Sequence, residues 1–239
     1  MIDGLEIFQQ KDNLIIGIDP GLGLSSNTAL EAIDLSAGEQ VAEYLGKANH
    51  YQLCEIIDYL KQNFTIKTIV IEANTFGKLF IDEITRNFPD LDLFSSDGKN
   101  PGFKTTKETK EALLFNYVFQ TLKENPNVLY SKRLYAQLQE LQIDKKTGKI
   151  KSAIGTDLIM AFGFAIVGRI DYLLNKASFT ELNEIVYMPK ELKFNYDEIV
   201  LPQRLSWNKL QNWENLPVKE LVEQTKKVKL INYLNQIRR

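Results

Sequence analysis

Two runs of branched apolar residues, each ending in an acid, are the strongest constraint on the fold of this 239-residue chain. The first run is Leu14–Asp19, which precedes Pro20 and Gly21, and the second is Thr68–Glu72. Short runs of this kind are typical of buried strands. Residues 51–64 have apolar residues at helical spacing, and a helix between two strands predicts a parallel, right-handed crossover. The chain is therefore expected to form an α/β domain.

The rest of the pattern predicts a mixed central β-sheet that is flanked by helices. Residues 27–35 and 39–45 alternate between apolar and polar side chains, as expected of two antiparallel strands that follow the first one. Further helices are predicted at 76–88, 107–123, 131–141 and 157–175, and short strands at 91–94, 127–130, 141–144 and 149–151. We interpret residues 1–175 as one α/β domain and residues 176–239 as an appended, partly helical C-terminal segment.

Three acids stand where apolar elements end or begin. Asp19 and Glu72 close the two predicted parallel strands, and Asp157 opens the longest apolar helix. The carboxyl ends of parallel strands meet at one edge of a sheet, so Asp19 and Glu72 are expected to be neighbours. Small residues further along the helix, such as Ala161 and Gly168, would let it lie close against the sheet. The first turn of the helix would then bring Asp157 to the acidic pair.

Three carboxylates in one place repel one another unless a cation balances them. The single histidine, His50, and the single cysteine, Cys54, rule out multi-histidine and cysteine-based zinc sites. Magnesium and manganese prefer carboxylate oxygens, and two such ions stabilise the attacking and leaving oxygens of a phosphodiester displacement. The acids therefore favour metal-assisted phosphodiester hydrolysis, although each could have a structural role. Asp157 could be a favourable first-turn acid, and Asp19 could belong to a turn.

Charge along the chain suits such a site. The whole chain has 29 Lys and Arg against 31 Asp and Glu, a net charge of −2. Residues 1–98 have 6 basic and 16 acidic side chains, whereas residues 99–151 have 11 and 5. This distribution fits a carboxylate site beside a surface that binds a polyanion, but a solvated lysine-rich face gives the same pattern. Neither a membrane span nor a secretory signal is expected from the hydropathy pattern.

Several short strings resemble known nucleases. Gly17–Gly21, Ile71–Asn74 and Thr156–Ala161 resemble the motifs of ribonuclease H-like nucleases. Gly102–Lys110 resembles a segment of the nuclease domain of viral (phage) terminase large subunits, and the similarity covers about residues 13–175. The resemblance implies a ribonuclease H-like fold with a C-terminal extension. It also implies a metal-dependent DNA endonuclease that cuts concatemeric viral DNA during genome packaging, with two Mg²⁺ or Mn²⁺ ions.

The same resemblance assigns roles to individual residues. It implies that Asp19, Glu72 and Asp157 are the catalytic, metal-binding acids. The residues that it places near double-stranded DNA are Lys104, Thr105, Thr106, Lys107, Lys110, Lys145 and Lys146. It further implies action in the host cytoplasm, with a packaging ATPase domain or subunit, a small terminase and a portal as partners.

The chain departs from the family pattern at two points. Where family members often have His-Asp-Asp, this chain has Gly155-Thr156-Asp157, so that one acid and a histidine are absent. It also has no G-x-x-x-x-G-K-[ST] signature, so it is expected to cut DNA without translocating it. We expect either a nuclease domain of a longer protein or a separately encoded nuclease.

Other functions fit parts of the sequence. The Gly17–Gly21 string also occurs in Holliday-junction resolvases of the same fold, which act on a branched substrate. A catalytically inactive DNA-binding or assembly module is favoured by the missing acid before Asp157. An actin-like ATPase or sugar kinase is suggested by Asp19 near Gly21 and Gly23, but such enzymes need further glycine-rich phosphate loops.

Overall fold

The structure, a computed structural model, describes residues 2–21, 26–74, 76–143, 150–178, 181 and 184–185. The strands are Leu5–Ile7 (β1), Asn13–Asp19 (β2), Thr28–Asp34 (β3), Gln40–Gly46 (β4), Thr65–Ile71 (β5), Gln142–Ile143 (β6) and Ile150–Lys151 (β7). The α-helices are His50–Asn63 (α1), Gly77–Asn87 (α2), Lys107–Ala112 (α3), Gln120–Glu124 (α4), Lys132–Gln139 (α5) and Asp157–Asn175 (α6). A π-helix, Leu113–Phe119, joins α3 to α4, and a 3₁₀ turn spans Pro126–Val128.

The central sheet has five strands in the order β1-β4-β3-β2-β5. β2 pairs antiparallel with β3 and parallel with β5, so that Gly17 lies opposite Val70 and Ile18 opposite Ile71. α1 lies on the connection that carries the chain from β4 to β5. The expectation of a mixed sheet that contains a parallel pair is therefore confirmed, and this pair lies at one edge of the five strands.

Helices cover both faces of the sheet, because each strand presents alternate residues to opposite sides. Ile15 and Val70 pack with the side chains of α6, the π-helix and α5. Ile16 and Ile71 pack with α1 and α2 on the other face. The result is a helix–sheet–helix arrangement with two apolar cores, in which α6 lies against the centre of the sheet.

α6 packs on β2 with almost no space between the backbones. A Cβ atom built on Gly17 would lie 2.0 Å from the carbonyl oxygen of Ala161 and 2.4 Å from the amide nitrogen of Ala165. A Cβ on Gly168 would lie 2.6 Å from a methyl group of Val70. The expectation that small residues let this helix lie close to the sheet is confirmed.

Other predicted elements differ from the structure. The strand predicted at 127–130 is wrong: this segment includes most of the 3₁₀ turn, whose Pro126 has no backbone N–H to donate to a sheet. The short strand predicted at 91–94 is reduced to one bridge, between Leu93 and Ile69. The predicted hairpin strands β6 and β7 do pair, with Gln142 opposite Lys151.

Several predictions concern residues that the structure does not describe. The tip of the hairpin, with Lys145 and Lys146, lies outside the described residues. The same holds for the C-terminal segment predicted at 176–239, apart from residues 176–178, 181 and 184–185. In the described part of the chain, no helix combines the length and the apolar character that a bilayer span requires.

Candidate active site

Asp19 and Glu72 stand side by side at the carboxyl ends of adjacent parallel strands. Asp19 is the last residue of β2, and Glu72 directly follows β5. The backbone N–H of Glu72 donates to the carbonyl oxygen of Ile18 at 3.1 Å, so the parallel register continues to this point. Alternation along the strands places both acids on the face that α6 covers, where the charge of Glu72 acts on the Asp19 carboxyl. The predicted proximity of the two acids is observed.

The environment of the Asp19 carboxyl group disfavours its negatively charged form. Its pKa is raised well above the usual value, first by burial and then by the charges of Glu72 and Asp157. Lys110 opposes this shift. A cation beside the two acids would relieve the repulsion between their charges.

The Glu72 carboxylate is buried, with 4% of the residue exposed, and both of its oxygens have partners. Oε2 accepts a hydrogen bond of 2.6 Å from the Asn74 side-chain amide. Oε1 accepts a hydrogen bond from the Thr105 hydroxyl and lies 3.5 Å from the Lys110 ammonium. These partners fix the orientation of the carboxylate, as the outer partners of metal ligands do.

Asn74 uses both ends of its side chain. Its amide nitrogen holds Glu72, while Oδ1 accepts the backbone N–H groups of Phe76 at 3.1 Å and Gly77 at 2.7 Å. These groups lie at the beginning of α2, where helix N–H donors otherwise have no partner. Asn74 therefore links the start of the helix to the position of the acid. Sequence reasoning included Asn74 in a motif but gave it no role, although an Asn just before a helix start is a recognisable cap signal.

Thr105 reaches Glu72 because its segment is paired with β5. The backbone N–H of Phe103 donates to Ile71 at 2.7 Å, and the N–H of Ala73 donates to Phe103 at 2.8 Å. Gly102 precedes this pairing with a φ of +107°, and a Cβ there would lie 2.6 Å from the Ala73 side chain. Glycine therefore allows the segment to approach the strand closely enough for Thr105 to meet the acid.

Asp157 is the first residue of α6, where an acid is also favoured by the helix dipole. Burial raises its pKa, and the charges of Lys47 and Lys110 oppose this effect. Asp157 is near enough to raise the pKa of Asp19. However, within the described residues no group of three or more Asp, Glu, His or Cys side chains is arranged to hold a metal ion. The site consists of one close pair with a third acid nearby.

The other residues predicted to lie near DNA differ in their hydrogen-bond and ion-pair partners. The Lys104 ammonium pairs with Asp97 at 2.7 Å. Thr106 is the N-cap of α3 and accepts the backbone N–H of Thr109. Lys107 is exposed and lies 3.9 Å from Glu111, one turn further along the same helix. Lys110 differs from these residues because its ammonium faces the acids.

The donor set can hold a hard divalent cation. Asp19 and Glu72 supply carboxylate oxygens from adjacent strand ends, and neither a thiol nor an imidazole is among the groups described around them. Oxygen donors of this kind suit Mg²⁺ or Mn²⁺ rather than metals that prefer sulfur or nitrogen. A cation between the two carboxylates would offset the repulsion between their charges.

Solved structures of a phage nuclease share this architecture. The large terminase nuclease from thermophilic phage G20c aligns with a TM-score of 0.51 in its magnesium-bound form and 0.50 in its cobalt-bound form. This chain has the fold of a large terminase nuclease. The alignments have 14% sequence identity and cover 70% of this chain and 88% of the phage chain. The predicted ribonuclease H-like fold is thereby confirmed. The sequence itself matches no protein-family model and no curated protein.

Proposed function

We propose that this chain is a metal-dependent DNA endonuclease of the large-terminase type, which cuts concatemeric viral DNA during genome packaging. The observation that carries the proposal is the juxtaposition of Asp19 and Glu72 at the carboxyl ends of the adjacent parallel strands β2 and β5. Carboxylates held side by side repel each other unless a cation balances their charges. Such a pair is therefore a candidate functional site, and here it lies within a nuclease fold.

Asp19, Glu72 and Asp157 are the residues that would hold two Mg²⁺ or Mn²⁺ ions. When bound, such ions polarise the scissile phosphate and lower the pKa of a water molecule, which makes the water a nucleophile at neutral pH. Asn74 and Thr105 keep the Glu72 oxygens in place for this task. Rotation of the carboxylate would break at least one of these hydrogen bonds.

The proposed substrate is double-stranded DNA. Residues 99–151, which include α3, α4, α5 and the strands β6 and β7, carry 11 basic side chains against 5 acidic ones. Phosphate contacts from lysines give affinity without reading sequence. In the packaging process we place this nuclease in the host cytoplasm, with a packaging ATPase domain or subunit, a small terminase and a portal as partners.

Cleavage of supercoiled plasmid in the presence of Mn²⁺ or Mg²⁺ tests the proposal. We expect nicked and linear products from the unaltered chain, and a rate lower by roughly 100-fold or more in Asp19→Asn and Glu72→Gln. The size of the loss follows because outer partners of metal ligands alone are worth about 10- to 100-fold. Asp157→Asn is expected to lose activity as well. Asp82→Asn, an exposed position on α2, is the matched control and should retain it.

The results also separate the competing functions. A chain that binds the plasmid but leaves it intact with every divalent ion would be an assembly module, and the nuclease proposal would be wrong. Cleavage of four-way junctions without cleavage of linear or supercoiled duplex would identify a resolvase instead. EDTA must abolish the activity, since metal-independent cutting would contradict the role of the acids.

A further inference from the structure

The Lys110 side chain connects α3 to the acidic site. Its Nζ atom lies 3.5 Å from Oε1 of Glu72, a carboxylate whose side chain is 6% exposed, while the Lys110 side chain itself is 50% exposed. Of the three lysines predicted for DNA contact in this segment, Lys104 pairs with Asp97 and Lys107 lies near Glu111. Lys110 is the one of the three whose charge is directed at the acids.

The segment that carries Lys110 is held in a fixed position. A capping box between Thr106 and Thr109 sets the first turn of α3, and Thr105, just before the cap, donates to Glu72. Two side chains of one short segment, Thr105 and Lys110, therefore approach the same carboxylate oxygen. The approach follows from the backbone and does not depend on a long, unconstrained loop.

The charge of Lys110 acts on all three acids. It forms the ion pair with Glu72, and it lowers the pKa of both Asp19 and Asp157 against the opposing effect of burial. Lys47 also acts on Asp157. In the absence of a metal ion, Lys110 thus supplies positive charge at the place where the acids would otherwise repel one another.

We propose that Lys110 is the resident countercharge of the acidic site, and that a divalent cation exchanges with its ammonium group. This inference rests on the proposed function, because it makes the Lys110 ammonium group a competitor of the metal ion for the same carboxylates. A lysine ammonium sits on a flexible stem of four carbons, and a contact of 3.5 Å to one oxygen, with half of the side chain in solvent, is easily released. Once released, the ammonium is free to meet a DNA phosphate.

Metal binding to Lys110→Met, measured by calorimetry with Mn²⁺ and without DNA, tests the exchange. Methionine keeps the length of the side chain and removes its charge, so Mn²⁺ should bind about three- to tenfold more tightly than to the unaltered chain. Lys107→Met, one turn earlier on the same helix, is the matched control and should bind Mn²⁺ unchanged. Equal affinity in all three proteins, or weaker binding to Lys110→Met, would overturn the proposal.

Thermal unfolding in EDTA gives a second measurement that needs no metal. Lys110→Met should unfold about 2 °C lower than the unaltered chain because the acids lose their countercharge, and Lys107→Met should not. Identical unfolding of both variants would count against Lys110 as the countercharge. If Lys110→Met unfolds at lower temperature but no protein binds Mn²⁺, the countercharge stands and the proposed metal-dependent function fails.

Discussion

Glu31 and Glu43 form a second pair of acids, on the neighbouring strands β3 and β4. They lie directly opposite each other on β3 and β4, and both are fully buried. Gln40 donates to one oxygen of Glu31 at 2.7 Å, and Arg133 donates to one oxygen of Glu43 at 2.6 Å. The remaining oxygens, Oε1 of Glu31 and Oε2 of Glu43, are buried without a hydrogen-bond partner among the described groups. A proton on Glu31 would let one of these oxygens donate to the other.

This pair makes the stability of the fold depend on pH. Burial, and then the charge of Glu43, raise the pKa of Glu31 well above its usual value, while Gln40 and Arg133 act in the opposite direction. Arg133 also pairs with Glu6 at 3.2 Å, so its charge is shared. A group whose pKa is higher in the folded than in the unfolded protein contributes its full stabilising free energy when the pH is below the unfolded-state pKa. The stabilisation is lost as the pH rises towards the folded pKa.

We therefore predict that Glu31→Gln stabilises the protein at pH 8 and has less effect at pH 5. The amide oxygen can still accept from Gln40, and the amide nitrogen can donate to Glu43 at any pH. The expected gain at pH 8 is about 1.5–3 kcal/mol, the value of a hydrogen bond to a charged group. Urea unfolding at both pH values measures it, with the exposed Glu55→Gln as a control. A gain of the same size at both pH values would rule out a shared proton.

At the level of residues, part of the candidate site could be predicted from the sequence. The proximity of Asp19 and Glu72 follows from strand periodicity and from the rule that parallel strands end at one edge. The contacts of Asn74, Thr105 and Lys110 with Glu72 could not be predicted, because they depend on where loop side chains turn. Thr105 and Lys110 were predicted to lie near DNA, which stays a prediction, and in the structure both lie beside Glu72.

The packing of α6 on β2 is the main link between elements. Gly17→Ala would place a methyl group 2.0 Å from the Ala161 carbonyl oxygen, which belongs to backbone and cannot rotate away. We predict a loss of about 3 kcal/mol or more in the free energy of unfolding, at the upper end of overpacking effects. Because Asp19 lies two residues further along β2 and Asp157 begins α6, Mn²⁺ affinity should also fall.

Gly163→Ala provides the comparison on the same helix. The three atoms nearest to its added methyl group would all belong to the Leu113 side chain, the closest being Cγ at 2.7 Å, and a side chain can shift where a backbone carbonyl cannot. Alanine also favours the helix, so the net change should stay within about 1 kcal/mol. Chemical denaturation of both variants measures the difference. Equal losses in the free energy of unfolding of the two variants would show that the backbone contact at Gly17 costs no more than the side-chain contact at Gly163.

Element prediction succeeded where the periodicity was long and failed where the segments were short. β2, β5, α1 and α6 were each expected from extended apolar patterns and are present. β1 has three residues, too few for any period to be recognised. The helix predicted at 107–123 is present as a continuous run, but its π-helical middle depends on packing against α6. Tertiary contacts of this kind leave no local sequence signal.

Across the whole molecule, charge is unevenly distributed along the chain. Residues 1–98 have a net charge of −10, from 6 basic and 16 acidic side chains, and residues 99–151 have +6, from 11 and 5. Lys104, Lys107 and Lys110 all keep at least half of their side chains in solvent. If three or four lysines contact phosphates, the affinity for duplex DNA should fall roughly 100-fold between about 50 and about 200 mM salt.

Fluorescence anisotropy of labelled duplexes in EDTA measures this salt dependence without cleavage. Two duplexes of unrelated sequence should bind with similar affinity, because phosphate contacts carry no sequence information. A flat response to salt, or a strong preference for one duplex, would contradict an electrostatic mode of binding.

The pairing of Phe103 with β5 limits where related sequences can have insertions or deletions. On one side lies an exposed turn, Asp97–Asn100, closed by hydrogen bonds to the Asp97 side chain. Extra residues there leave the pairing intact. A single residue inserted between Phe103 and Thr105 would turn the threonine hydroxyl to the opposite side of the extended chain. Length variation is therefore expected before Phe103, while the spacing from Phe103 to Lys110 should stay constant.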